Sequence, residues 1–518
     1  MMCLHIALVF GRDRVTFHAP AEKGGLFYVC LLLFVLFTYG FYFVAEQVLI
    51  RLIRKDEVFL SYFKYFLGYF VFMGVFFLLT WPGIFKGDEF YTVRAALDFQ
   101  LSGAQSGLTS LLYIVALLFF PSMASIVFVQ LLLICAIFAL VFHDLMARFH
   151  TKAKVLLILP FILLPVIDAN LFTLRATLVG WLFLLLLDRI FVPDRTADGL
   201  NKVVIAALCG LICAWRSEFI YLILLVPVCI LWLKKATWKR AVLLLLAAVL
   251  CWQIFNVPNK VALAGQNKYP ISLVLNPLAN MFTEEEKIHG PSVYEDVLTI
   301  GELVDVKRLR LDATAGNISQ YWNIPDVLPK EQLSRFMKAS LRLIVYNPGL
   351  YLKYRVKTFM LTNGYQDGVV NHPGGEDPDA ILNLNYYDTD YRGYFAFMDP
   401  PLGQSLREKT IGFLACRTYR KDGVTNRPWL KLFYNVIPPL CLLVVSLFYQ
   451  IIKRRRKESL LIALTLLQFP LVFLTAPAMF FMYYFCLYLC GWVLVIYTLV
   501  CLNEDARKPV APTVSRAE

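Results

Sequence analysis

What this sequence has little of is charge. Asp, Glu, Lys and Arg make up 17% of its 518 residues, 59% are hydrophobic, and the mean hydropathy is +0.63. That balance cannot cover a soluble surface, so ordinary soluble domains are excluded and a polytopic membrane protein is implied. Histidine occurs at only 6 positions. No Cys/His ligand spacing, phosphate-cradling glycine loop or G-x-S-x-G elbow is present. Of the 12 cysteines, all but Cys3 and Cys416 lie in or beside apolar runs, so no disulfide framework can be drawn in the one long polar stretch. No cleavable leader is evident, because the short apolar start, residues 1–10, is followed by Arg12, Asp13 and Arg14 rather than by small residues. The net charge of +13 would suit a polyanion. Lys and Arg, however, gather in short clusters at the ends of apolar runs, where they read as topology signals and contacts to membrane lipids, and no nucleic-acid partner is expected.

What is present is a series of apolar runs with polar breaks. Runs at 26–50, 59–80, 123–145, 155–167, 171–191, 203–214, 219–233, 241–257, 429–452, 459–475 and 479–501 predict eleven spans. Basic clusters at 51–55, 148–154, 234–240 and 453–457, with Asp194-Arg195 between the paired short runs, place the alternate ends on the cytoplasmic side, with the N-terminus outside and the C-terminus inside. This orientation leaves Arg12, Arg14 and Lys23 outside. The chain divides into an N-terminal segment (1–25), a first bundle (26–258) with an acidic external loop (81–107), a large mixed extracytoplasmic domain (259–427), C-terminal spans (428–502) and a polar tail (503–518), expected to be disordered. Within the loop domain, 330–346 and 350–360 read as helices, the latter resting on the membrane or on the bundle.

The organising stretch is Trp81-Pro82-Gly83-Ile84-Phe85-Lys86-Gly87-Asp88-Glu89-Phe90. It follows an apolar run and sets two adjacent carboxylates at the outer surface among aromatic neighbours. A carboxylate in such surroundings tends towards a raised pKa and can take a proton from a hydroxyl; otherwise the pair only solvates the loop. An amphipathic surface helix follows, with Val93, Ala96 and Leu97 on one side and Arg94 and Asp98 on the other. Arg175 and Arg216 sit among apolar residues at the outer ends of short spans. Intramembrane arginines mark sites, and guanidinium groups offer paired donors suited to phosphate. The plainer alternatives are a local pair of Arg216 with Glu218 and a snorkelling Arg175. Asp168 is a further candidate acid, read first as a helix N-cap ahead of residue 171. His372, with Glu376 and Asp377, could contact an acceptor.

Together the external acidic pair, the surface helix after it, short spans with polar outer hinges and a late large external domain resemble the GT-C superfamily of integral-membrane glycosyltransferases. The nearest likeness is to bacterial members that resemble protein O-mannosyltransferases and the aminoarabinose transferase of lipid A. The stretch Thr475-Ala476-Pro477-Ala478-Met479-Phe480-Phe481-Met482-Tyr483-Tyr484 is similar to the start of the last spans in such enzymes. The resemblance covers about 59–254 and the final spans, and does not reach the external domain. It implies an all-α GT-C-like bundle in a bacterial cytoplasmic membrane, transferring a sugar from a polyprenyl-phosphate carrier to a cell-envelope acceptor on the outer face, with inversion. Asp88, with Glu89 beside it, would be the base, Arg175 and Arg216 would hold the carrier phosphate, and Arg94, Asp168, Glu218 and His372 would support or meet the acceptor. A divalent cation, Mg or Mn, remains open, with Asp88, Glu89 and Asp168 as its oxygen ligands. Two alternatives share the many spans. A lipid-linked glycan polymerase or ligase would carry its essential charges in the large loop, whereas a transporter or flippase would show internal repeats and mid-membrane charges, and no convincing repeat is seen.

Overall fold

The computed structural model describes residues 2–3, 5, 25–85, 87–102, 106–173, 175–191, 198–233, 236–314, 318–363, 385–386, 389–390, 395, 397–420 and 423–507. The architecture is all-α and polytopic. Among the described residues, seven helices are long and apolar enough to cross a membrane, or eight if the bent pair Lys152–Ile162 and Leu164–Leu171 forms one span. The helices that matter below are α1 (Gly25–Ile53), α2 (Glu57–Leu79), α3 (Gly87–Leu97), α4 (Gly107–Phe119), α5 (Met123–Arg148), α6 (Leu164–Leu171), α7 (Arg175–Phe191), α8 (Asp198–Trp215), α9 (Tyr221–Trp232) and α10 (Trp238–Phe255). In the second half they are α11 (Tyr269–Met281), α12 (Lys330–Tyr346), α13 (Pro348–Thr362), α14 (Gln404–Leu414), α15 (Ile437–Ile452), α16 (Arg456–Leu466), α17 (Gln468–Thr475) and α18 (Phe485–Arg507).

Caps set several of the boundaries. Asp56 accepts a hydrogen bond from the Phe59 amide at 3.1 Å to open α2, and Ser106 accepts from Thr109 at 3.2 Å to open α4. Most of α5 and α18 is buried, whereas α1, α2 and α10 leave Leu32, Leu36, Val71, Leu246 and Leu250 exposed. In a membrane such outward apolar faces meet lipid at no cost, so burial separates the central helices from the peripheral ones. Helices α8 and α10 approach closely at Gly210, where an added Cβ would lie 2.5 Å from Cys251 Cβ and 2.6 Å from the Trp252 amide.

Basic clusters far apart in sequence meet at one end of the bundle. Arg148 pairs with Glu458 at 2.9 Å, Arg189 with Asp144 at 2.9 Å, and Arg455 with Asp505 at 2.8 Å. Thr151 bonds Asn503 at 2.8 Å. These partners correct the expectation of a disordered tail from 503: α18 continues to Arg507 because Asn503 and Asp505 find partners on neighbouring segments. Residues 508–518 lie outside the described ones.

The large loop is mostly helical. Helices α11, α12 and α13 enclose a separate small core around Ile271, Leu278, Phe282, Phe336 and Leu343, and a two-stranded hairpin, β1 (Arg417–Arg420) with β2 (Gly423–Asn426), precedes the C-terminal spans. Helix α12 spans the residues read as helical from sequence. Helix α13 rests on the bundle: the Arg355 guanidinium donates to the carbonyls of Phe473 at 2.6 Å and Ala476 at 3.0 Å, and the Tyr351 hydroxyl donates to Leu474 at 2.8 Å.

Candidate functional site

Helix α2 ends at Thr80, and the chain turns through Trp81 and Pro82, joined by a cis peptide bond, to Gly83. Gly83 has φ +123°, and a Cβ there would lie 2.3 Å from Val127 Cγ2, so backbone and space both require glycine. Ile84 then forms a parallel bridge to Phe172, its amide donating to the Leu171 carbonyl at 3.2 Å. Three residues on, α3 begins with Asp88 and Glu89 in its first turn, where carboxylates complement the helix dipole. Glu89, Phe85 and Phe90 are buried and Asp88 is half-buried. Val93, Ala96 and Leu97 pack inward while Arg94 is exposed, so the predicted amphipathic helix is present and Arg94 points away from its buried face.

The bridge sets the acidic turn beside the approach to Arg175. Carbonyls along that approach are taken in succession. The buried amide of Gln130 donates to Asn170 and to Phe172, both at 2.9 Å, the Ile84 amide takes Leu171, and the Tyr113 hydroxyl lies 2.9 Å from the Thr173 carbonyl and 2.6 Å from its Oγ1. These buried bonds brace residues 170–173 ahead of α7, which begins at Arg175. Arg175 therefore stands at a helix N-terminus, an unfavourable place for a cation unless acids are near.

Arg216 follows α8 and is buried. It pairs with Glu218, the local partner anticipated from sequence, and its guanidinium lies 5.9 Å from the centroid of the Tyr483 ring. Glu218 lies within the field of Arg175 as well as Arg216. Burial alone would raise its carboxyl, but the two arginines hold it below the usual carboxylate range. Tyr483 is where the cluster meets: the charges of Asp88, Arg175 and Arg216 all act on it. Tyr113 in turn lies in the field of both Glu89 and Asp88. Residues from α3, α4, α7, the 215–219 turn and the start of the last span thus converge, joining four of the sequence candidates with Glu218.

Asp168 has a different setting. The expected outer hinge at 168–170 is helical instead, because Pro165 starts α6 and the polar residues find partners within the bundle. Asn170 donates to the Tyr69 hydroxyl at 3.0 Å and accepts from Trp181 at 2.8 Å, and the Tyr434 hydroxyl lies 3.0 Å from Asp168. Asp168 is an interior residue of a helix, and the N-cap expectation fails. His372, Glu376 and Asp377 lie outside the described residues.

Sequence reasoning missed four residues. Tyr113 and the buried Arg355 and Arg407 carry no local signal; Tyr483 lay in the quoted Thr475–Tyr484 stretch without a role. Arg407, on α14, donates to the carbonyls of Trp81 at 2.9 Å and Gly83 at 3.0 Å, with Thr80 at 3.3 Å. Trp81 itself donates to the Phe397 carbonyl at 2.6 Å, beside an apolar cavity of about 590 Å³ bounded by Leu78, Trp81, Phe395 and Met398.

A cation held jointly by Asp88, Glu89 and Asp168 does not fit this arrangement. Among the described residues no three His, Cys, Asp or Glu side chains come together as a ligand group, and Asp168 is engaged with Tyr434. No step below is routed through a metal. No protein-family model matches the chain, and no curated protein or solved structure matches it either.

Proposed function

We propose that this chain is a membrane glycosyltransferase with a GT-C-like bundle of eleven spans, using a polyprenyl-phosphate sugar as donor and acting at the outer face of a bacterial cytoplasmic membrane. The reading is carried by Arg216, buried, paired with Glu218 and 5.9 Å from the Tyr483 ring, with the charges of Asp88 and Arg175 bearing on that same ring. Two guanidiniums beside one carboxylate suit a phosphoryl leaving group and an incoming hydroxyl at a single centre.

In the proposed reaction the acceptor hydroxyl oxygen attacks the anomeric carbon from the face opposite the phosphate. Its proton passes to the Asp88 carboxylate as the new C–O bond forms. The bond from the anomeric carbon to the phosphate oxygen breaks, and its electron pair leaves with the polyprenyl phosphate, whose charge Arg175 and Arg216 stabilise. Glu218 holds Arg216 in place, and the Tyr483 ring backs it. One displacement inverts the anomeric configuration.

The test is transfer of labelled sugar from polyprenyl-phosphate sugars by purified protein in lipid nanodiscs, with cell-envelope lipids, glycans and peptides as acceptors. Wild type should release polyprenyl phosphate in step with product, and Asp88→Asn should lose both while remaining folded. Equal turnover by Asp88→Asn would remove the reading.

A further inference from the structure

Arg407 is 2% exposed and lies more than 320 residues from the carbonyls it binds. It comes from the external domain, whereas Thr80, Trp81 and Gly83 form the turn between α2 and the acidic helix α3. A single guanidinium here satisfies carbonyls at the C-terminal end of α2, where the helix dipole also favours a cation. Arginine is required for this because its fork presents donors in several directions from one rigid plane; lysine offers one compact charge. The Trp81 indole bond to Phe397 ties the same turn to the same domain.

We propose that Arg407 is a positioning residue. By holding the turn at 80–83 it fixes where α3 begins, and so where the Asp88 carboxylate stands relative to Arg175 and Arg216. The external domain, which the family likeness leaves unexplained, then acts on the chemistry through one side chain. This inference rests on the glycosyl-transfer reading for its catalytic part and on the hydrogen bonds alone for its mechanical part.

The experiment measures two quantities on reconstituted wild type, Arg407→Met and Arg407→Lys. One is kcat and KM for the polyprenyl-phosphate sugar; the other is backbone hydrogen exchange in peptides covering 80–90 and, as a control, the external core around 330–346. Arg407→Met should lower kcat about 10²-fold, the scale expected of an ångström-sized displacement of a catalytic group. KM should stay within about threefold, since donor binding by the hinge arginines is untouched. Exchange should accelerate about tenfold or more at 80–90 and not at 330–346. Arg407→Lys should fall between, and it serves alone if Arg407→Met does not fold. Unchanged kcat, or a lower kcat with unchanged exchange at 80–90, would overturn the proposal; so would equal acceleration in both peptides. If wild type transfers no sugar, the functional reading fails, and the exchange measurement still decides whether Arg407 holds the turn.

Discussion

Helix α7 carries an arginine at each end, Arg175 and Arg189, about 21 Å apart at 1.5 Å per residue. Their surroundings differ. Arg189 is clasped by Asp188 at 2.5 Å on its own helix and by Asp144 at 2.9 Å on the neighbouring one. Asp144 also faces the His143 ring at 3.0 Å, and that ring lies 3.0 Å from Ser61 on α2. Three adjacent helices thus close an ionic knot in which each partner comes from packed secondary structure. At the other end, Arg216 pairs with Glu218 beside the Tyr483 ring, and the charges of Arg175 and Asp88 bear on that ring; these residues stand on short turns and helix starts braced by Gln130, Tyr113 and Arg407. The first arrangement resembles a fastener and the second a site: charges on packed helices hold those helices together, whereas charges carried on braced turns and helix starts can face a ligand.

The comparison breaks if the two ends respond alike to mutation. The largest effect should come from Arg216→Ala, which removes a phosphate donor and leaves the half-buried Glu218 without its nearest cation. Sugar transfer in nanodiscs should fall about 10²–10³-fold, the usual cost of losing one such stabilising donor, and Arg216→Lys should recover part of it. Arg189→Met should do the reverse. Breaking that partly buried knot should cost about 3 kcal/mol of stability, read as a lower midpoint in thermal unfolding, with kcat unchanged at temperatures where the variant is folded.

Between these lies packing that belongs to neither end. Gly210→Val would push a side chain into Cys251 and the Trp252 backbone. Its expected cost is about 1–3 kcal/mol, seen as reduced thermal stability without a selective loss of transfer. The smallest effect concerns the large loop, where hydrogen bonds from Lys287, Lys353 and Tyr354 hold the Glu284 carboxyl at about 2. Because the folded-state value is depressed below the ordinary 4.5, the contribution of Glu284 is complete above pH 4.5 or so and is lost as pH falls through about 2. Glu284→Gln should lie slightly below wild type at neutral pH, by no more than an exposed pair contributes, and converge with it as pH falls through about 2, which flattens the acid limb.

Much of the fold was legible because apolar length and basic clusters are strong local signals. The run before Trp81, the helix at 330–346 and the basic clusters that hold Arg148 and Arg455 were read from period and charge, whereas Arg189 lay unremarked inside an apolar run. Asp88, Glu89, Arg175 and Arg216 were also visible, each as a charge out of place in an apolar setting. The break around 168–170 was misread because polarity suggested a hinge, while Tyr69, Trp181 and Tyr434, distant in sequence, supply interior partners that make a buried helix possible. The tail from 503 was misread for the same reason: its partners Thr151, Tyr449 and Arg455 lie on other segments. Arg407 was invisible, since one arginine in an ordinary polar helix gives no sign that three distant carbonyls will meet it.

The most direct test sets one carboxylate from each end in the same assay. Asp88→Asn and Asp144→Asn would be reconstituted side by side and measured for transfer of labelled sugar from a polyprenyl-phosphate donor and for thermal unfolding. The account predicts that Asp88→Asn loses transfer at near wild-type stability, and that Asp144→Asn keeps its rate at reduced stability. The opposite pattern, with transfer lost at Asp144 and retained at Asp88, would contradict it.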